Sequence, residues 1–128
     1  MSRWVSYNAN PQHRRVGDCT VRAISKVLGQ DWYKTYFGTA IEGAIQCDMP
    51  SANQVWGAYL RSQGFRRHLT PDDRWEDYTV EVFCEEHPEG TYLLALDSHV
   101  VAVIDGCFYD TWDSGGEVVN YYWERKVD

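Results

Sequence analysis

The chain reads as an α+β domain in which N-terminal helices pack on a C-terminal antiparallel β-sheet. Three observations predict it. Apolar residues recur at helical spacing in the first part of the chain. From Thr91 onward the pattern switches to runs of β-branched and aromatic residues separated by turn residues. Helices first and strands afterwards, without βαβ alternation, is the α+β order. With 128 residues, 44% hydrophobic and 24% charged, the chain has the length and composition of one domain, 1–128, and no repeat or Pro/Ser-rich linker divides it. A domain of this size buries roughly two-thirds of its unfolded surface, so its stability requires neither disulfides nor a structural metal.

The elements follow in order. Trp4 to Tyr7 is a short extended start, and residues 8–17 have turn and loop composition. Asp18 is an N-cap candidate, and Val21, Ile24, Val27 and Leu28 then repeat at helical spacing until Gly29 stops the helix. A second helix is expected from Asp31 to about Gln46. A third runs from Ser51 to Gln63, with Val55, Tyr59 and Leu60 on one face before Gly64, and a short fourth from Thr79 to Glu86. The strands are Thr91 to Leu96, His99 to Ile104, Cys107 to Trp112 and Val118 to Trp123, with Asp105-Gly106 at a hairpin turn.

Charge narrows the function. Nineteen acidic against twelve basic residues give a net charge of −7, which disfavours nucleic acid as a partner. Residues 1–70 hold nine basic and four acidic side chains, and residues 71–128 hold three basic and fifteen acidic. Such a split is ordinarily a solvated surface, though the acidic half also suits a basic segment of a partner. No stretch has signal-peptide character or the roughly 20 apolar residues of a membrane span, so a soluble, cytoplasmic protein without a membrane partner is expected. Cys19, Cys47, Cys84 and Cys107 contain no Cys-x-x-Cys pair and read as free thiols. Cys84 and His87 have ligand spacing but no second pair, so no metal is expected, and without a phosphate loop or dinucleotide fingerprint no cofactor either.

The candidate chemistry is nucleophilic. Cys19 falls in the first turn of the first helix, where unpaired N–H groups and the helix dipole favour a thiolate. The plain alternative is a small core residue, but Arg14, Arg15, Asp18 and Arg22 surround it in sequence. His13, His68 and His87 read as surface residues. His99 opens His-Val-Val-Ala-Val-Ile, the most apolar run of the chain, where an imidazole needs a hydrogen-bond partner. A two-residue turn at Asp105-Gly106 sets His99 opposite Trp112 and Val101 opposite Asp110. Asp110 is then the diagonal neighbour of His99 on the same face, able to orient the ring and stabilise its charged form. Taken alone, His99 is a satisfied core histidine; the helix-start cysteine and same-face aspartate turn the balance toward catalysis. Trp4, Trp32, Trp56, Trp75 and Trp123 read as core and rim packing.

These motifs resemble the papain-like cysteine peptidase superfamily. Gly17-Asp18-Cys19 opens a helix, His99 opens a strand, and Asp110-Thr111-Trp112 is similar to the family's Asn-Ser-Trp. The wider pattern Gly-Asp-Cys-x-x-Arg-Ala-Ile with His-Val-Val-Ala-x-x-Asp-Gly-x-x-Tyr-Asp-Thr-Trp-Asp-Ser also resembles small papain-fold proteins of bacteria and their phages. The likeness runs from Cys19 to Ser114 in three short motifs, in a chain much shorter than a typical papain-type enzyme. It implies a papain-like fold and a thiol hydrolase that cleaves a peptide or isopeptide bond of a peptide or protein substrate. Cys19 would be nucleophile, His99 base, Asp110 orienter and Trp112 a shield over the His99–Asp110 bond. The family's oxyanion-hole Gln lies upstream of the cysteine; Gln12 is close to that position without matching its spacing, and Asn10 and Asn8 are rivals. The alternatives are an acyltransferase or transglutaminase-like enzyme on the same scaffold, or a non-catalytic binding protein of phage origin.

Overall fold

The computed structural model describes residues 2–71, 73 and 76–126. Its elements are β1 (Trp4–Ser6), α1 (Cys19–Leu28), α2 (Trp32–Gln46), α3 (Asn53–Ser62), β2 (Phe65–Leu69), α4 (Val80–Glu86), β3 (Thr91–Leu96), β4 (His99–Ile104), β5 (Cys107–Asp110) and β6 (Tyr121–Arg125). The α+β reading therefore holds, and each expected helix lies within two residues of its expected ends. Trp75 lies outside the described residues.

The strands form one six-stranded mixed sheet in the order β1-β5-β4-β3-β6-β2. This corrects the expectation of a purely C-terminal antiparallel sheet. The N-terminal β1 pairs parallel with β5, and β2, a strand absent from the expected elements, pairs antiparallel with β6. β2 is an edge strand that buries Phe65 while Arg66, Arg67 and Leu69 are exposed, so it lacks the alternation that announces a half-buried strand. β6 begins at Tyr121, later than expected, because Val118 is spent on an isolated bridge to Thr79.

Both faces of the sheet are covered. Ile24 and Val27 of α1, Trp56 and Leu60 of α3, Leu93, Ala95, Val100, Ala102 and Trp123 form one core. Val80 and Phe83 of α4, Leu94, Val101, Val103 and Phe108 form the other. The period-2 alternation along β3 and β4 thus supplies both layers.

Local chemistry fixes the helix ends. Gly29 adopts the left-handed conformation, and the N–H groups of Gly29 and Gln30 reach the Lys26 and Ser25 carbonyls. Asp31 caps α2 by accepting from the Lys34 N–H at 2.8 Å, and Thr79 caps α4 from Val82 at 3.2 Å. Asp18 precedes α1 but makes no side-chain cap, because its carboxylate is taken by Arg22 and Trp32.

α2 is inverted. The residues it buries are Thr35, Thr39 and Gly43. A Cβ on Gly38 would lie 2.6 Å from the Tyr59 ring, and one on Gly43 would lie 2.7 Å from the Asp48 carbonyl, so this face is held to small residues by close approach. Its large apolar side chains point to solvent instead. Among the described residues no helix is long and apolar enough to cross a membrane.

Candidate active site

The site forms where two strands part. β4 and β5 pair from Ile104↔Cys107 to Ala102↔Tyr109 and no further, whereas β4 stays paired with β3 as far as Leu96↔His99. Asp105 and Gly106 both have positive φ, the geometry of a type I′ turn, and this fixes the register that the Asp-Gly pair announces. His99 and Asp110 therefore lie just beyond the last rung, and their side chains bridge the gap: His99 Nε2 and Asp110 Oδ2 are 2.6 Å apart.

Asp110 is 2% exposed and surrounded by donors. Its Oδ2 also accepts from Ser114 Oγ at 2.7 Å, and its Oδ1 from the Thr111 N–H at 2.8 Å. That local bond bends the chain after Asp110. β5 thus ends two residues earlier than expected, and Trp112 leaves the sheet. The Trp112 ring still packs against His99, with centroids 5.2 Å apart, while remaining 42% exposed. β1 secures the other side of Asp110, whose carbonyl accepts from Trp4 Nε1 at 3.0 Å and the Tyr7 N–H at 2.9 Å.

Cys19, the first residue of α1, is half-buried and partly packed against the core. Burial works against its thiolate. Hydrogen bonds from the His99 side chain and the Val100 backbone, with the positive charges of His99 and Arg22, outweigh that penalty and hold the thiol below its ordinary value of 9.0. For His99, burial opposes the charged ring, but Asp110 and Cys19 more than compensate and raise it from 6.5 to about 9. With Nε2 on Asp110, Nδ1 is the ring nitrogen left for sulfur. Cys84 is the contrast: buried in the second core, beside the negative charge of Glu81, it is pushed up to about 12.

A further side chain organises the site. Arg22, one turn along α1 from Cys19, is buried and pairs through Nη1 with Asp18 and through Nη2 with Asp110 at 3.7 Å. Asp18 Oδ2 in turn accepts from Trp32 Nε1 at 2.9 Å and Asn10 Nδ2 at 3.5 Å. A continuous polar chain thus links the residue 8–17 loop to the imidazole. The i, i+4 spacing of Asp18 and Arg22 signalled their pairing; nothing in the sequence signalled Ser114, which reaches Asp110 only through the bend.

Cys19 and His99 line an open cleft of about 580 Å³ with Gly17, Thr20, Asn53 and Asn120 among its walls. Gln12 and Asn10 are not among its lining residues. Gln12 is exposed, and Asn10 is buried with its Oδ1 accepting from the Gln12 and Arg14 N–H groups. Asn8 holds the same loop by donating to the Arg14 carbonyl at 3.3 Å. The carboxamides of the cleft are Asn120, whose Nδ2 donates to Asp97 at 2.7 Å, and Asn53, whose Oδ1 accepts from Trp56 Nε1 at 3.2 Å.

Compared with protein-family models, curated proteins and solved structures, the chain finds no match. Any functional reading therefore rests on the site itself.

Proposed function

We propose that the protein is a thiol hydrolase of papain-like type that cleaves a peptide or isopeptide bond through Cys19, His99 and Asp110. The observation that carries this reading is the His99 imidazole held 2.6 Å from the buried Asp110 carboxylate, with the helix-start Cys19 beside it on the wall of the same open cleft and its thiol pKa lowered by His99. A structural histidine needs a partner, but it does not need a helix-start thiol on its other nitrogen.

The steps follow from these groups. Cys19 as thiolate attacks the substrate carbonyl carbon, forming a C–S bond and a tetrahedral oxyanion. The first-turn N–H groups of α1 have no intrahelical acceptor and suit that charge; Asn53 Nδ2 is the side-chain donor we assign beside them, in place of Gln12 and Asn10. Collapse breaks the C–N bond as His99 gives its proton to the leaving amine. Neutral His99 then takes a proton from water as the water oxygen attacks the thioester carbonyl; the C–S bond breaks, the carboxylic acid leaves and the thiolate–imidazolium pair is restored. Asp110 keeps the ring oriented and favours its charged form. An amine in place of water would make the same centre an acyltransferase.

The test is intact-mass labelling with a thiol-directed acyl probe. One adduct on the native chain, absent in Cys19→Ala and slowed roughly a hundredfold or more in His99→Ala, supports the reading. Equal labelling of the native chain and His99→Ala would overturn it.

A further inference from the structure

The cleft does not end at Cys19. Asn53 and Tyr121 line both the cleft and a second pocket of about 420 Å³, whose remaining walls include Arg61, Arg67, Gly57 and Trp123. Among the described residues no acidic one lines this second pocket. Arg61 lies over the Trp123 ring and Arg67 over the Tyr121 ring, each 5.2 Å from the centroid. Among the described residues neither guanidinium has a carboxylate within ion-pair distance.

Two cations that share a pocket with no counter-charge repel each other until an anion joins them. Here the arrangement occurs in a chain rich in acidic side chains, and none of the described ones fills it. Stacking on aromatic faces limits the rotamers of both arginines, so less ordering is lost when they bind. Their planar forks match a carboxylate in two-point geometry. The net charge of −7 repels a polyanion strongly and a single carboxylate on an otherwise neutral chain far less.

We propose that this pocket is a carboxylate subsite: it takes an acidic side chain, or the terminal carboxylate, of a peptide lying across the Cys19 cleft. The assignment deepens the hydrolase reading and rests on it. It also moves the charge recognition from the acidic half of the chain to Arg61 and Arg67 of the basic half.

The experiment is a fluorescence titration of the full chain carrying Cys19→Ser with short capped peptides. One arm compares Glu with Gln at each position under an amidated C-terminus; a second compares free with amidated C-termini in peptides lacking Glu. The expected result is roughly tenfold tighter binding of the carboxylate form in one arm, which names its source. The preference should shrink in Arg67→Lys, disappear in Arg61→Gln/Arg67→Gln, and weaken with salt. Equal affinity of Glu and Gln peptides and of free and amidated ends overturns the subsite. A preference that survives in the double variant, with its circular dichroism melt unchanged, overturns it as well. Iodoacetamide alkylation of Cys19 in the parent chain is read separately, so an unreactive thiol with an intact Glu preference sinks the hydrolase reading alone.

A second inference rests on the outer face of α2. Tyr33, Phe37, Ile41 and Ile45 fall four residues apart and, with Tyr36 and Met49, are 46 to 71% exposed. At about 200 Å² per large side chain, roughly 700 Å² of apolar surface faces water, close to the ~800 Å² per partner of a stable interface. The stripe is an i±4 ridge, which packs against an identical ridge in the commonest helix-crossing class. About its midpoint at Thr39, a two-fold axis opposes Tyr33 to Ile45 and Phe37 to Ile41 of the other copy, aromatic against aliphatic. We infer that two copies of the chain associate through α2. Sedimentation equilibrium should give twice the 14.9 kDa chain mass at micromolar concentration, and the single-chain mass for Phe37→Glu or Ile41→Glu with an unchanged melt. A parent chain that sediments at single mass throughout that range overturns it.

Discussion

Arg22 stands between two buried carboxylates, and its removal leaves Asp18 without its cation and Asp110 with His99 alone. Breaking a buried pair from one side costs about 3–5 kcal/mol. Arg22→Ala is therefore expected to lower the melting temperature by on the order of 10 °C, measured by circular dichroism; a fall of a degree or two would show that the pairing is solvent-screened. His99 and Cys19 have opposite linkage. Folding raises the His99 pKa from 6.5 to about 9, so its stabilisation is complete below 6.5 and is lost as pH rises through about 9. Folding lowers the Cys19 pKa, which stabilises above 9.0 and is lost as pH falls through the depressed value. Where the proton has only moved from sulfur to ring, the two effects cancel. Cys19→Ser removes one side and with it part of what raises His99, leaving the Asp110 contribution, so its melting temperature should fall relative to the parent as pH rises above 6.5; parallel curves would contradict an imidazole raised by Asp110. These residues are legible in the sequence because their chemistry is local: a thiol at a helix start, an imidazole opening an apolar run, a carboxylate two registers away. Ser114 and Asn53 are not: Ser114 meets Asp110 only because the chain bends after β5, and long-range packing alone brings Asn53 to the cleft.

Among the elements, β1 has an importance its three residues conceal. It seals the β5 edge from Trp4↔Phe108 to Ser6↔Asp110, and its Trp4 indole, with the N–H of Tyr7 just after it, holds the Asp110 carbonyl. Trp4→Ala should therefore weaken the site as well as the fold: a loss of about 2–3 kcal/mol in stability, with slower acyl labelling of Cys19 at a temperature where the variant is folded. Unchanged labelling in a destabilised variant would confine Trp4 to packing. The helices, the β3–β4–β5 meander and its register are legible from period and turn chemistry, because Asp-Gly demands positive φ that few other pairs accept. β2 is illegible because an edge strand with arginines outward has no hydrophobic alternation. The inversion of α2 escapes periodicity for a related reason: a stripe of apolar residues at helical spacing shows that a helix exists, not which side is buried. Gly38 and Gly43 carry that information, through contacts no local pattern encodes.

For the molecule as a whole, one mixed sheet with a core on each face brings an N-terminal helix, a central strand and the strand after it to one point. The chain order Cys19, His99, Asp110 is thus converted into contact order by the parting of β4 and β5. Everything functional depends on whether that contact ionises the sulfur, and the pH dependence of iodoacetamide alkylation, resolved cysteine by cysteine by peptide mass, measures it most directly. Cys19 is expected to alkylate with a midpoint below the ordinary 9.0, His99→Ala to move the midpoint upward, and buried Cys84 to stay inert near neutral pH. A Cys19 that titrates as an ordinary thiol, with the same profile in His99→Ala, would contradict that expectation.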